Sequence, residues 1–94
     1  MNIAMAFMTE RETEELLETE TRMLPMPDGT TEPYRGFRIM WDTLDYIVEE
    51  YDIQLEWLVK LALSDVEQNS VSFQRAFKNI VAYVCHEYDK ATGK

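Results

Sequence analysis

Residues that interrupt helices are confined to one short stretch of this chain. All three prolines and two of the three glycines lie within residues 25–36. Proline fixes its own backbone and lacks an N–H donor, and glycine weakens a helix, so this stretch is predicted to be turn or extended chain. The residues outside it are free to be helical. A mainly α fold is therefore expected.

A strand pattern begins inside this stretch. Residues 34–40 alternate with the two-residue period of a strand, which places Phe37 and Ile39 on a predicted core face and Tyr34 and Arg38 on the opposite face. A single strand cannot satisfy its own backbone hydrogen bonds, and no second strand of comparable quality is recognised in the sequence. This one short strand is therefore predicted to pair with its copy across a homodimer.

Three amphipathic helices are predicted after the strand, over about 40–51, 55–66 and 73–88. Apolar residues recur in each at three- and four-residue spacing. Ser70 or Ser72 is suited to cap the last helix, because a serine side chain accepts hydrogen bonds from the first free backbone N–H groups. The three stripes are Trp41, Leu44, Ile47, Val48 and Tyr51; Leu55, Leu58, Val59, Ala62 and Val66; and Phe73, Ala76, Phe77, Ile80, Val81, Val84 and Tyr88.

The N-terminal segment, residues 1–30, is strongly acidic. It holds seven acidic and two basic residues. Thr9 and Glu12 have the spacing of a capping box, which predicts a helix over residues 9–24. Its apolar stripe is thin, so this helix would be marginal alone. The segment is therefore separated from the predicted folded domain, residues 31–94.

Composition restricts the location and partners of the chain. A formal net charge of −9 argues against a general binder of nucleic acid or lipid, which needs a basic surplus, but allows a specific binder with a local basic patch. The single cysteine, Cys85, cannot form an internal disulfide and favours a reducing compartment. No apolar run approaches the roughly 20 residues that span a bilayer. A soluble, cytoplasmic protein without membrane contact is expected.

The sequence offers no residue constellation typical of catalysis. Cys85 and His86 are neighbours, and adjacent side chains on a helix point about 100° apart, so they cannot form a hydrogen-bonded dyad. Neither a phosphate-binding glycine loop nor a metal-ligand cluster is recognised. We therefore expect a protein that is not an enzyme and needs no cofactor or metal.

The order strand, helix, turn, helix resembles the ribbon–helix–helix family. The resemblance covers roughly residues 34–88 and extends, over residues 69–77, to the third helix of a variant group of short bacterial members. The acidic segment before the strand departs from the simplest members, whose strand lies near the start of the chain. The residues that carry the resemblance are Gly36, Phe37, Arg38, Ile39, Met40, Trp41, Asp42, Thr43, Leu44, Ile47, Ile53, Leu58 and Val59, followed by Asn69 to Phe77.

The resemblance implies an intertwined homodimer whose two strands form an antiparallel ribbon. In DNA-binding members this ribbon enters the major groove, where alternate side chains contact base edges. Tyr34, Arg35 and Arg38 are then the candidate DNA contacts, and Arg38 is suited to pair with a guanine. The implied function is transcriptional regulation. The family positions that form the core or the dimer contact are occupied by Phe37, Ile39, Trp41 and Leu44.

A second hypothesis is an acidic, dimeric protein-interaction module of the same fold that does not bind DNA. Gly36 gives the ribbon no side chain at its middle position. Glu56, near the predicted start of the second helix, would repel a phosphate there. Trp57 lies off the main apolar stripe and is the candidate partner surface, since exposed tryptophans are frequent contact residues.

Overall fold

The computed structural model describes residues 17–94. Two strands, β1 (Thr19–Pro25) and β2 (Thr31–Phe37), are followed by three helices, α1 (Arg38–Tyr51), α2 (Leu55–Asn69) and α3 (Phe73–Thr92). The strands form a two-stranded antiparallel sheet. The described residues are therefore mainly helical, as the sequence predicts.

β1 and β2 are the two arms of a hairpin. Thr19 lies opposite Phe37 at the open end. At the closed end the N–H of Met26 donates to the carbonyl of Thr30 at 2.8 Å, and Gly29 has a φ of 88°, which costs glycine little. The Asp28 carboxylate accepts from Thr30, and these hydrogen bonds lower the pKa of Asp28. The proline- and glycine-rich stretch is thus a turn followed by most of β2, which confirms the prediction of turn or extended chain.

The hairpin corrects two predictions. The chain has a second strand, so the prediction of a single strand that lacks a partner within the chain was wrong. The predicted helix was wrong over residues 19–24, which belong to β1. Its earlier part, over residues 9–16 with the Thr9 capping box, lies outside the described residues. Because β2 pairs within its own chain, an unpaired strand no longer argues for a homodimer.

The core lies between the hairpin and the three helices, where α3 packs against α2 and α1. Tyr34 is central to it. The Tyr34 ring meets the ring of Trp41 edge-on at 5.8 Å and contacts that of Phe77 at 5.0 Å. Offset and edge-on pairs of this kind stabilise a core beyond their buried area. The buried residues are Leu24, Tyr34, Met40, Trp41, Leu44, Ile47, Ile53, Leu58, Val59, Ala62, Ala76, Phe77, Val81 and Val84.

The faces of β2 are the reverse of those predicted. Tyr34 is only 3% exposed, whereas Phe37 and Ile39 are 47% and 50% exposed. Gly36 also points inward, since a Cβ added there would lie 2.8 Å from Cε of Met40. The strand ends at Phe37 and α1 begins at the next residue, so the alternation cannot extend to Ile39. The predicted outward role of Tyr34 and Gly36 was therefore wrong.

Trp41 and Leu44 are buried in the core, at 1% and 3% exposure, where the sequence analysis placed them. The indole N–H of Trp41 donates to the carbonyl of Glu20 at 2.8 Å, which ties α1 to β1. Arg22 strengthens this contact, because its guanidinium lies 4.8 Å from the Trp41 ring and pairs with Asp45 at 2.8 Å. β1 is thus held by α1 as well as by β2.

Candidate functional site

The two arginines predicted to contact DNA line different clefts. Arg35 is exposed on β2 and lines a cleft of about 580 Å³ together with Arg75 and Lys78 from α3. Arg38, at the start of α1, lines a separate cleft of about 270 Å³. Its other lining residues are Glu18, Thr19, Glu20, Arg22, Trp41 and Asp42. The structure therefore places Arg38 among carboxylates and Arg35 among cations.

We call the first of these the basic cleft, after Arg35, Arg75 and Lys78. Its remaining lining residues are uncharged: Thr19, Tyr34, Gly36, Phe37, Met40, Ser72 and Gln74. None of the acidic residues in the described range lines it. The three cationic side chains are exposed, so the cleft is open to a ligand larger than an ion.

Hydrogen bonds between β2 and the first turn of α3 fix the walls of the basic cleft. The side-chain amide of Gln74 donates to the backbone carbonyl of Arg35, and the hydroxyl of Tyr34 donates to the backbone carbonyl of Gln74. Burial raises the pKa of Tyr34, so its hydroxyl stays protonated as the donor. The Nε of Arg35 donates to the hydroxyl of Thr19 at 2.9 Å. Arg35 is thus held at a defined position beside α3.

The start of α3 supplies the other two cations. The hydroxyl of Ser72 accepts a hydrogen bond from the N–H of Arg75 at 3.2 Å, so Ser72 is the cap that the sequence left open between two serines. Arg75 and Lys78 are three residues apart, and this spacing puts them on the same side of the helix. The positive end of the helix dipole lies in the same turn. All of these charges have the same sign.

The basic cleft is suited to bind anions. Within the described residues, the ion pairs involve Arg22 and Lys94 rather than the three cations of the cleft. Guanidinium groups bind phosphate or carboxylate through paired N–H donors, and an ammonium group adds a point charge. An anion with several charged groups in a row would engage all three side chains.

An exposed apolar surface adjoins the basic cleft. Phe37, Ile39 and Ala82 are exposed there around the buried Val81 and Met40, and the shallow depression between them has a volume of about 200 Å³. Its remaining lining residues are Thr43 and Lys78. Clustered exposed apolar residues on a small domain mark a contact surface more often than isolated ones do. Phe37 and Ile39, predicted as core or dimer residues, therefore lie outside the core of the single chain.

Arg75 and Lys78 were missed as site residues by the sequence analysis. Their signal is present, because two cations three residues apart on the polar side of a helix are unusual in a chain of net charge −9. Their proximity to Arg35 has no sequence signal, since it depends on how the hairpin packs against α3. Only the structure brings these three residues together.

The remaining candidate residues lie away from the basic cleft. Trp57 is 41% exposed and lines a small cleft with other aromatic residues. Cys85 is partly buried, with its Sγ 3.7 Å from a carboxylate oxygen of Asp89. Burial and this carboxylate raise the pKa of the Cys85 thiol, which keeps it in the less reactive protonated form.

Residues 17–94 contain neither a clustered metal-ligand set nor a membrane-spanning helix. No group of three or more histidine, cysteine, aspartate or glutamate side chains is placed to hold a metal ion there. None of the helices in this range is both long enough and apolar enough to cross a membrane.

Comparisons of the chain with models of protein families, with curated proteins and with solved structures gave no significant match.

Proposed function

We propose that this protein is a cytoplasmic, homodimeric DNA-binding regulator that shares the strand–helix–turn–helix order of the ribbon–helix–helix family, pairs its strands within one chain, and contacts DNA through the basic cleft. One observation carries the proposal. Arg35 from the hairpin and Arg75 and Lys78 from α3 converge on one open cleft, in a chain whose net charge is −9. DNA presents phosphates in a regular row, and a row of phosphates is the anion that three neighbouring cations fit best.

The acidic net charge does not oppose this binding mode. At physiological ionic strength, interactions between exposed charges fade over about 8 Å, so the charges nearest to the DNA dominate. The carboxylates around Arg38 line the neighbouring cleft, which shares Thr19 with the basic cleft but none of its three cations. Non-specific affinity stays low because the net charge of the chain is acidic, and the local cations add affinity only where DNA contacts the basic cleft directly.

A homodimer would place more positive charge on the same side of the protein. Phe37, Met40 and Lys78 line both the basic cleft and the apolar surface beside it. If two copies meet through that surface about a two-fold axis, their basic clefts become neighbours. Because Lys78 lines the shared surface as well, the cations that stay clear of it are Arg35 and Arg75, which give the pair four guanidinium groups facing a two-fold symmetric DNA site.

The proposal changes the roles of the residues that the sequence indicated. Arg35, on the hairpin, is the candidate for a base contact in the groove, whereas Arg75 and Lys78 are candidates for phosphate contacts. Tyr34 has a structural role, because its ring lies in the core and its hydroxyl is bonded to α3. Arg38 lies among carboxylates and is not included among the DNA contacts.

The experiment that tests this function is selection of the full chain on a pool of randomised duplex DNA, at low and at physiological salt. We expect an enriched motif with two-fold symmetry that survives physiological salt. Failure to enrich any sequence at either salt would contradict the proposal and favour the protein-interaction module.

Variants of the basic cleft then test where DNA binds. Arg75→Ala or Lys78→Ala should each weaken binding to the selected sequence and make the slope of log K against log salt shallower by about 0.9 for each phosphate that is no longer neutralised. Arg35→Ala should cost about 1–3 kcal/mol and relax the preference at one base position. Lys60→Ala removes the same charge from an exposed position on α2, outside the cleft, and should leave both the affinity and the salt slope unchanged. Equal effects from all four variants would show that DNA binding depends on the net charge of the chain and not on the position of the cation.

A further inference from the structure

A second candidate site lies where α1, α2 and α3 meet, away from the basic cleft. Tyr51, Trp57 and Tyr88 line a cleft of about 250 Å³ there, together with Asp52. We call it the aromatic cleft. Its other lining residues are Ile53 and Gln54. The rings of Tyr51 and Tyr88 lie 5.3 Å apart, so two of the three aromatic walls are in contact.

The walls of the aromatic cleft are accessible to a partner. Trp57 is 41% exposed and Tyr88 is 37% exposed, and Asp52 is exposed at the end of α1. Tyrosine and tryptophan bury a large area at low entropic cost and are enriched where proteins bind one another. An exposed tryptophan beside two tyrosines is therefore suited to bind a partner.

The chemistry of the aromatic cleft favours a cation. The faces of tyrosine and tryptophan rings are electron-rich and attract ammonium and guanidinium groups, and the carboxylate of Asp52 adds a full negative charge. One of these rings already contacts a cation within the chain. The Nζ of Lys94 lies 5.3 Å from the centre of the Tyr51 ring, and 5.7 Å from that of Tyr46, which lies outside the cleft.

The size of the cleft limits what it can hold. Pockets for small-molecule ligands usually have volumes of about 300–1,000 Å³, and this cleft falls below that range. One long side chain fits it better than a cofactor or metabolite does. The acidic surface of the chain would attract the positively charged segment that carries such a side chain.

We propose that the aromatic cleft binds an arginine or lysine side chain of a basic peptide segment in a partner protein. Trp57 and Tyr88 contact the cation and its methylene groups, and Asp52 pairs with its charge. This site is independent of the proposed DNA contacts, because it shares no lining residue with the basic cleft.

The test is a titration of the ¹⁵N-labelled full chain with a blocked tetra-arginine peptide, followed by NMR. We expect a saturable shift of the indole N–H signal of Trp57. The indole of Trp41 is buried and bonded to the carbonyl of Glu20, so its signal should stay still and serves as an internal reference. A matched peptide with citrulline in place of arginine has nearly the same shape without the charge. It should bind at least about fivefold more weakly.

Three variants locate the binding. Trp57→Leu should weaken binding of the tetra-arginine peptide at least about fivefold, as judged by the backbone signals of the cleft. Asp52→Asn should weaken it as well and keeps the local backbone, since Asp52 has a φ of 53° that asparagine tolerates. Tyr83→Leu, at an aromatic residue of α3 that is 62% exposed and outside the cleft, should change nothing.

Several outcomes would overturn the proposal. Equal binding of the citrulline peptide would show an apolar surface with no preference for cations. Unchanged binding by both Trp57→Leu and Asp52→Asn would show that the peptide spreads over the acidic surface. Shifts of the Trp57 signal with protein concentration alone would show that a second copy of the chain covers the cleft.

Discussion

At the scale of single residues, Asp89 links two helices of the bundle. Its carboxylate accepts hydrogen bonds from the hydroxyls of Tyr51 and Tyr46, the latter at 3.0 Å, and so links α3 to α1. The Tyr51 hydrogen bond is the main reason that the pKa of Asp89 lies below its ordinary value of 3.8. The same network raises the pKa of Tyr46, chiefly through the neighbouring Tyr51 hydroxyl and also through the Asp89 carboxylate. This network stabilises the charged carboxylate of Asp89 and the neutral phenol of Tyr46 together.

The lowered pKa of Asp89 predicts a specific pH dependence of stability. A carboxyl group that is more acidic in the folded state stabilises the fold above its unfolded pKa, and this contribution disappears as the pH falls through the folded value. Asp89→Asn should therefore lower the melting temperature at pH 7 and reduce its fall below about pH 4. Thermal melts from pH 7 to pH 2.5 measure both effects.

Glu87→Gln is the matched control, because it removes a carboxylate from an exposed position on the same helix. It should leave the melting temperature at pH 7 close to that of the parent. The pKa of Asp28 is lowered by its hydrogen bonds to Thr30, so Asp28 also contributes to the loss of stability at low pH. The melting temperature of Asp89→Asn should therefore still fall somewhat below pH 4. If it falls as steeply as that of the parent, Asp89 is not a source of the acid sensitivity.

At the scale of secondary structure elements, two serines at the junction of α2 and α3 have opposite effects. Ser70 ends α2 with a φ of 55°, a left-handed conformation that costs a residue with a side chain about 1 kcal/mol. Ser72 caps α3 through its hydroxyl. We expect Ser70→Gly to stabilise the fold by about 0.5–1 kcal/mol and Ser72→Ala to destabilise it by about 1 kcal/mol. Denaturant unfolding with an unchanged m-value measures both, and the same sign for both would contradict these roles.

The helices were predictable from the sequence because each has a local cause. Apolar spacing marks α1, α2 and α3, and serines lie at the junction between the last two. β1 was not predictable in the same way. Its glutamates and threonines, with Leu24 as the one fully buried residue, have the composition of a solvated helix as much as that of an edge strand. It becomes a strand because the turn at Gly29 brings it beside β2, which is a contact between segments.

The candidate site was predictable only in part for a related reason. Alternation in β2 puts Arg35 on the same face as Phe37, but whether that face is exposed or points inward depends on where the strand ends. The prediction extended the strand period past Phe37 into α1, and it therefore assigned Ile39 to the core and Tyr34 to the surface. The large Tyr34 ring packs against Trp41 instead, and this packing decides the face.

At the scale of the whole molecule, charge and apolar surface are unevenly distributed. Arg35 of the hairpin and the two cations at the start of α3 gather at the basic cleft, and the exposed Phe37 and Ile39 lie beside it. A single chain would leave this apolar surface in water next to a concentrated positive field. A second copy would cover Phe37 and Ile39 and would leave Arg35 and Arg75, which do not line that surface, free to meet an anion.

The arrangement of these surfaces predicts a dimer that depends on Ile39. The parent chain should be a dimer by light scattering at micromolar concentration. Ile39→Asp places a carboxylate where two copies would meet, and burying an unpaired charge costs several kcal/mol, so the dissociation constant of the dimer should rise more than about a hundredfold. Because Ile39 is 50% exposed in the single chain, helical content should be retained in the variant. Tyr83→Asp introduces the same charge at a more exposed residue outside the apolar surface, and should remain dimeric. A monomeric parent, or a dimer that survives Ile39→Asp, would show that this surface does not join two copies.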